Sequence, residues 1–281
     1  MHIYFDQKTL PLSQSLRIAA LSDIHINQHF SDRLSAKLLK SLSRRKFDAI
    51  FVLGDLIDRV NVLDSPEITD RALDFFTKLA RLAPVFLVYG NHDVMYKERG
   101  IYAYEIPRDF RTRLAQIKNL TILDNAVCET KDFCVAGFTP SRAYHFPNKN
   151  HHPESRNVLR RDLEAFLAAK CRNLPTTKPR FFLTHSPLHG DLLTQKLTDF
   201  DYIFAGHMHN GCLPRWLLWT TRHAGLLGPS DSLFPRYAHG IYKNLIILPP
   251  VSTFPSKLHF CQFLYPYYLS LFRFKSDILK P

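Results

Sequence analysis

Short apolar runs alternate along the chain with stretches whose apolar positions recur every three or four residues, and this alternation predicts an α/β fold. Leu16 to Leu21 (LRIAAL), Asp48 to Leu53 (DAIFVL) and Pro84 to Tyr89 (PVFLVY) read as buried strands, as do Arg180 to Leu183 and Tyr202 to Ala205. Thr121 to Leu123, Ala126 to Glu129 and Phe133 to Phe138 predict shorter strands. Between them, Arg33 to Ser43 puts Leu34, Leu38, Leu39 and Leu42 on one helical face, and Ile68 to Leu82 does so with Ala72, Phe75, Phe76 and Leu79. Helices are also expected around Arg108 to Ile117 and over Asn157 to Lys170, the latter with Leu159, Leu163, Phe166 and Leu167 inward. Phe260 to Phe274 is dense in Phe, Tyr and Leu, but Pro266 and Arg273 interrupt it and it is too short for a membrane span. Two terminal core strands are expected there.

With 281 residues, 46% of them hydrophobic, the chain can bury a large core. No Gly/Ser/Pro-rich linker or internal repeat divides it, so a single domain over residues 1–281 is expected. Met1 to Gln7 lacks the basic and apolar regions of a signal peptide. The five cysteines, Cys128, Cys134, Cys171, Cys212 and Cys261, are odd in number and show no C-x-x-C spacing, which fits reduced thiols in a cytosolic protein. Cys128 and Cys134 flank an expected hairpin and could face each other across it. The net charge of +12 suits phosphate-bearing substrates, nucleic acid or an anionic membrane, and equally a merely solubilising surface. Small groups such as Arg44-Arg45-Lys46 and Arg160-Arg161 carry the basic residues, with no long tract.

Five polar runs follow the expected strands: Asp23-Ile24-His25, Gly54-Asp55 with Asp58, Gly90-Asn91-His92-Asp93, Thr184-His185 and Gly206-His207-Met208-His209. Each alone has an ordinary explanation. The Asp55 run could cap a helix, and Gly90-Asn91 could form a turn. Taken in order, at the carboxyl ends of strands, they converge on the crevice where α/β sheets bind ligands. Carboxylate, imidazole and amide donors without thiolate suit two divalent ions, Mn, Fe or Zn, and disfavour Ca. Paired ions of that kind serve phosphate ester hydrolysis.

The runs SDIH, GDLID, GNHD, THSP and GHMH resemble the calcineurin-like metallophosphoesterase family over roughly Leu16 to Gly211. The resemblance implies an α/β four-layer sandwich of two mixed β-sheets flanked by helices. It also implies hydrolysis of a phosphomonoester or phosphodiester by attack of metal-bound hydroxide. Asp23, His25 and His209 would bind one metal, Asn91, His185 and His207 the other, and Asp55 would bridge them. His92 would act as general acid, with Asp58 at the position that can orient it. Arg59 stands where phosphoprotein phosphatases of the family carry a phosphate-contacting arginine, although Val60 replaces their glycine. The competing expectations are a nuclease of the same fold and a non-catalytic scaffold like the retromer subunit that shares it.

Gly211 to Ile241 contains both tryptophans, Trp216 and Trp219, beside Arg215 and Arg222, followed by Phe234-Pro235-Arg236-Tyr237. Such a segment could cap the cleft, grip a lipid or sugar-nucleotide, or rest on a membrane interface. The plainer expectation is a cap helix and loop packing rings on the sheet. The segment is similar to that of a bacterial branch of the family related to membrane-associated phosphodiesterases, UDP-diacylglucosamine hydrolases among them. Members of that branch often begin with a transmembrane or export segment, whereas here the first expected strand follows almost at once. Cytoplasmic localisation is expected, with peripheral membrane attachment as the alternative. His145, His151 and His152 are expected to be idle in a polar loop, and His189 and His239 to be structural or rim residues.

Overall fold

A computed structural model of the chain describes residues 3–58, 64–94, 96–98, 101–103, 107–141, 144, 153–228, 233–252 and 266–276. Two six-stranded mixed sheets stack face to face. In the first, the spatial order is β1 (Ile3–Pro11), β14 (Tyr267–Lys275), β2 (Leu16–Leu21), β3 (Ala49–Leu53), β4 (Val85–Val88) and β7 (Leu120–Ile122). In the second it is β12 (Gly240–Tyr242), β13 (Leu245–Ile247), β11 (Tyr202–Ala205), β10 (Arg180–Thr184), β9 (Cys134–Phe138) and β8 (Ala126–Glu129). A small hairpin, β5 (Tyr96–Glu98) with β6 (Ile101–Ala103), stands apart. β2, β3, β4 and β7 run parallel, as do β13, β11, β10 and β9. β14 is antiparallel to β2 and parallel to β1.

Helices cover the outer faces. On the first sheet lie α1 (Asp32–Ser43), α2 (Pro66–Ala80) and, beyond the single turn α3 (Asn91–Val94), α4 (Arg108–Ala115). On the second lie α5 (Pro153–Phe166) and α6 (Gly190–Lys196). The Ser31 side chain caps α1 by accepting from Leu34 N, and Pro66 opens α2, where a missing N–H costs nothing. The expected four-layer α/β arrangement is therefore present.

Strand periodicity explains why the central strands read as unbroken apolar runs. Ile18, Ala20, Ala49, Phe51 and Leu53 face the other sheet, while Ala19, Leu21, Ile50 and Val52 face the helices. Phe51 lies at the middle of the inter-sheet layer, edge-on to Phe86, Phe133, Phe181 and Phe204 with ring centroids 5.3–6.2 Å apart. Replacing it by alanine should remove about 3–5 kcal/mol of stability. Urea denaturation measures this, and a loss below about 1 kcal/mol would mean that the layer refills the space.

Several elements depart from the sequence expectation. β1, β12, β13 and α6 were not anticipated. β1 carries Asp6, Gln7 and Lys8 on an edge strand, which hides its pattern, and β12 and β13 are three residues long. The described part of the Phe260 to Phe274 region contributes one strand, β14, and its earlier residues lie outside the described ones. The helix over Asn157 to Lys170 ends at Phe166 and continues as a π-helical turn, Leu167–Cys171. Cys134 pairs with Glu129 and Cys128 with Val135, so the two cysteines project to opposite faces of the hairpin. Both are free thiols, as is Cys171. Among the described residues no helix is long and apolar enough to cross a membrane.

Candidate metal centre

All five polar runs emerge at one rim of the sandwich, after β2, β3, β4, β10 and β11. Ser22-Asp23 follows β2, and Asp23 N donates to Gly54 O while His25 N donates to Asp55 O, so the first two loops run side by side. Asp23, His25, Asp55, His207 and His209 all have φ between 46° and 69°. Asp and His tolerate this left-handed region better than most residues, but each such position still costs on the order of 1 kcal/mol. A side chain on Gly90 would collide with Asp55 Oδ1, and one on Gly206 with Ser22 Oγ. The glycines of the motifs thus let neighbouring loops touch backbone to side chain.

Two groups of donor atoms share Asp55. One consists of Asp23, His25, Asp55 and His209, the other of Asp55, His185 and His207. In the first, His209 Nε2 lies 3.3 Å from both Asp23 Oδ1 and His25 Nε2, and His25 Nε2 is 3.7 Å from Asp55 Oδ2. In the second, His185 Nε2 is 3.0 Å from Asn91 Oδ1, 3.0 Å from His207 Nδ1 and 3.3 Å from Asp55 Oδ2. Asp23 Oδ1 is buried with no hydrogen-bond partner. Lone pairs aimed at one another over such distances repel unless a proton or cation lies between them. This donor set fits divalent metal ions of the kind that accept mixed nitrogen and oxygen ligation.

Supporting contacts fix the orientation of these side chains. His185 Nδ1 donates to Leu53 O at 2.7 Å, which leaves Nε2 directed at the site. Asp23 Oδ2 accepts from Ser22 Oγ and from His207 N. Asp55 Oδ1 accepts from His92 N at 2.9 Å. The His92 ring is edge-on to His25, with Nε2 4.0 Å from Asp55 Oδ2, and its Nδ1 donates to the main-chain carbonyl of Asp58. The contact from Asp58 to His92 is thus made by the backbone. The Asp58 carboxylate lies instead 3.9 Å from His25 Nδ1. Arg59, His145, His151 and His152 lie outside the described residues.

The electrostatics follow from burial against close opposite charges. Burial disfavours the Asp23 and Asp55 carboxylates, but His209 beside the first and His185 and His92 beside the second hold both below the usual range. Burial also opposes a charge on His185, yet the Asp55 carboxylate outweighs it and pushes that imidazole up to about 9. His25 goes the other way. Burial, with His209 and His92 adding like charge, brings it down to about 4 against the pull of Asp55.

A sequence model of the calcineurin-like phosphoesterases matches residues 16–211. The chain belongs to that family. An uncharacterized metallophosphoesterase of Campylobacter jejuni is 26% identical over 201 residues, which is 71% of this chain and 46% of the relative, so the match spans about half the relative's length. Among solved structures, a dimetal phosphatase from Danio rerio aligns with a TM-score of 0.48 at 12% identity, covering 85% of this chain and 89% of that one. A phosphopantetheinyl hydrolase from Mycobacterium tuberculosis aligns at 0.43 and 14%, covering 73% and 86%.

Sequence reasoning gave no role to one residue of this calcineurin-like site. The Asp93 carboxylate accepts from Gly90 N and Leu56 N, both at 2.8 Å, and from Ile57 N, which ties the loop after β3 to the loop after β4. Burial, and then the Asp55 charge, push its carboxyl up to about 7. The acidic fourth position of the GNHD run was its only signal. His189 stands in left-handed conformation at the start of α6 beside Ser155, and His239 is buried against Thr221. Neither belongs to the two donor groups.

Proposed function

We propose that this member of the family hydrolyses a phosphomonoester or phosphodiester with two divalent metal ions held at the paired donor groups. The observation that carries the proposal is the sharing of Asp55 between them. Asp23, His25 and His209 would hold one ion and Asn91, His185 and His207 the other, with Asp55 bridging. When bound, such a pair supplies a water-derived nucleophile at neutral pH and positive charge for the phosphoryl oxygens. The protein's own contribution is orientation. Leu53 O aims His185, the His207 amide and Ser22 aim Asp23, and the His92 amide holds one oxygen of Asp55.

His92 is the proposed general acid. Its Nδ1 proton is committed to Asp58 O, so in the protonated ring the Nε2 proton faces the site and can pass to the leaving oxygen. The whole of residues 1–281 is proposed as one domain, since β14 inserts between β1 and β2.

Metal analysis of purified protein, with a manganese-loaded assay on an aryl phosphomonoester, an aryl phosphodiester and an oligonucleotide, tests the proposal. Hydrolysis of either aryl ester that is lost on chelation and restored by metal is expected. Protein that takes up no metal and cleaves none of the three would fit the scaffold alternative and remove the hydrolase reading. Preference for the oligonucleotide would move the assignment to a nuclease.

Metal uptake should be linked to pH with a definite sign. With its pKa near 9, His185 in the metal-free protein carries a proton at pH 7, and a metal takes the neutral ring. Binding therefore expels that proton. Affinity should rise about tenfold per pH unit from neutrality and level off above about pH 9. Calorimetric titration at pH 7 in two buffers of different ionisation heat checks this, and identical apparent enthalpies would contradict it.

A further inference from the structure

Every large hydrophobic side chain that stands exposed among the described residues belongs to one stretch: Trp216, Trp219, Leu226, Leu227, Leu233 and Phe234. Trp219 is 82% exposed and Trp216 62%, values far from those of rings packed on a sheet. The expected cap helix is absent from the described residues. In its place stand a short 3-10 turn, Arg215–Leu217, and a loop closed by the Leu227–Leu233 bridge. Both features are rooted at the metal centre. Gly211, two residues after His209, accepts from Leu226 N and Leu227 N, and the 3-10 turn begins four residues after it.

This surface is built to stay in place while its rings face outward. The Arg215 guanidinium lies 3.8 Å from the centroid of the Tyr4 ring, which pins the turn to the edge strand β1. Gly225 N donates to Pro235 O, and Gly211 and Gly225 meet backbone to backbone. The charge along this stretch is predominantly positive. Residues 211–243 carry Arg215, Arg222, Arg236 and Lys243 against a single acidic residue, Asp231, in a chain of net charge +12. Arg222, Arg236 and Lys243 are exposed.

Exposed Trp, Leu and Phe interspersed along the chain with exposed cations match a bilayer interface whose headgroups are anionic, where indole sits at headgroup level and basic side chains meet phosphate. We propose that Trp216, Trp219, Leu226, Leu227, Leu233 and Phe234, with Arg222 and Arg236, dock the protein on an anionic phospholipid bilayer, bringing the metal-centre rim to the membrane surface. The rings supply apolar contact and the arginines supply attraction. Docking needs neither metal nor turnover and so is separable from hydrolysis.

Trp216 and Trp219 are the only tryptophans in the chain, so its tryptophan emission reports on this surface alone. Metal-free protein is mixed with vesicles of phosphatidylglycerol and phosphatidylcholine, or of phosphatidylcholine alone. Sedimentation with the anionic vesicles, a blue shift in emission and quenching by brominated lipid are expected, with clearly weaker binding to the neutral vesicles and at high salt. Trp219→Ser with Phe234→Ser, and separately Arg222→Glu with Arg236→Glu, should each lower partitioning about tenfold or more. These positions are exposed, and an unchanged thermal transition verifies folding. Absence of sedimentation overturns the proposal, as does binding without an emission change. A concentration-dependent dimer with blue-shifted emission in the absence of lipid overturns it too, by assigning the surface to a second copy of the chain.

Discussion

Asp55→Asn should abolish hydrolysis, lowering turnover by roughly a thousandfold or more, and should deplete both metals together. The reason is the position of Asp55 in both donor groups. Oδ2 lies 3.3 Å from His185 Nε2 and 3.7 Å from His25 Nε2, while Oδ1 receives the His92 amide. An asparagine keeps the size but loses the negative charge that serves the two groups. If its amide nitrogen takes the Oδ2 position, a donor faces the site where an electron pair is required. The same substitution removes the carboxylate that pushes His185 up, so the proton release expected on metal binding should shrink with it. Metal content by mass spectrometry and turnover of an aryl phosphate are the two measurements. A variant holding a full metal complement and near-normal turnover would refute the bridging role.

His92→Ala should behave differently. Turnover is expected to fall about a hundredfold to ten-thousandfold while metal content stays close to that of the parent. The His92 side chain belongs to neither group that contains His185 or His209, and its ring nitrogen stands 4.0 Å from the nearest Asp55 oxygen. Its amide, which supports Asp55, survives the substitution. Substrates with acidic leaving groups, which need no protonation, should lose much less. If the alanine variant comes out metal-free, His92 is a ligand or a support and the acid assignment is wrong.

The layered fold and the place of the candidate site were legible because two periodicities coincide. Strands buried on both faces read as unbroken apolar runs such as AIFVL, and the polar residues directly after them mark the rim. What stayed hidden is carried by the backbone or by neighbours distant in sequence. Leu53 O and Asp58 O orient two imidazoles, and every residue has a carbonyl, so no side chain announces that role. The two oxygens of Asp93 join loops more than thirty residues apart in the chain, a closure visible only once β3 and β4 lie side by side. β1 interrupts its apolar residues with Asp6, Gln7, Lys8 and Thr9, as an edge strand can, and lacks the continuous run that revealed its neighbours. The exposure of Trp216 and Trp219 was equally unreadable, since an indole in sequence has the same spelling whether it is packed or bare.

The interleaving of the first sheet has a consequence for synthesis. β8 to β13 form the second sheet from one continuous stretch, residues 126–247, whereas in the first sheet β14 lies between β1 and β2. As the chain leaves the ribosome, β1 emerges before β14, the one strand it pairs with among the described residues. The nascent chain therefore carries β1 without that partner while the residues between the two strands are made. Closure of the first sheet, which joins strands far apart in sequence, is set to be a late and slow step of folding.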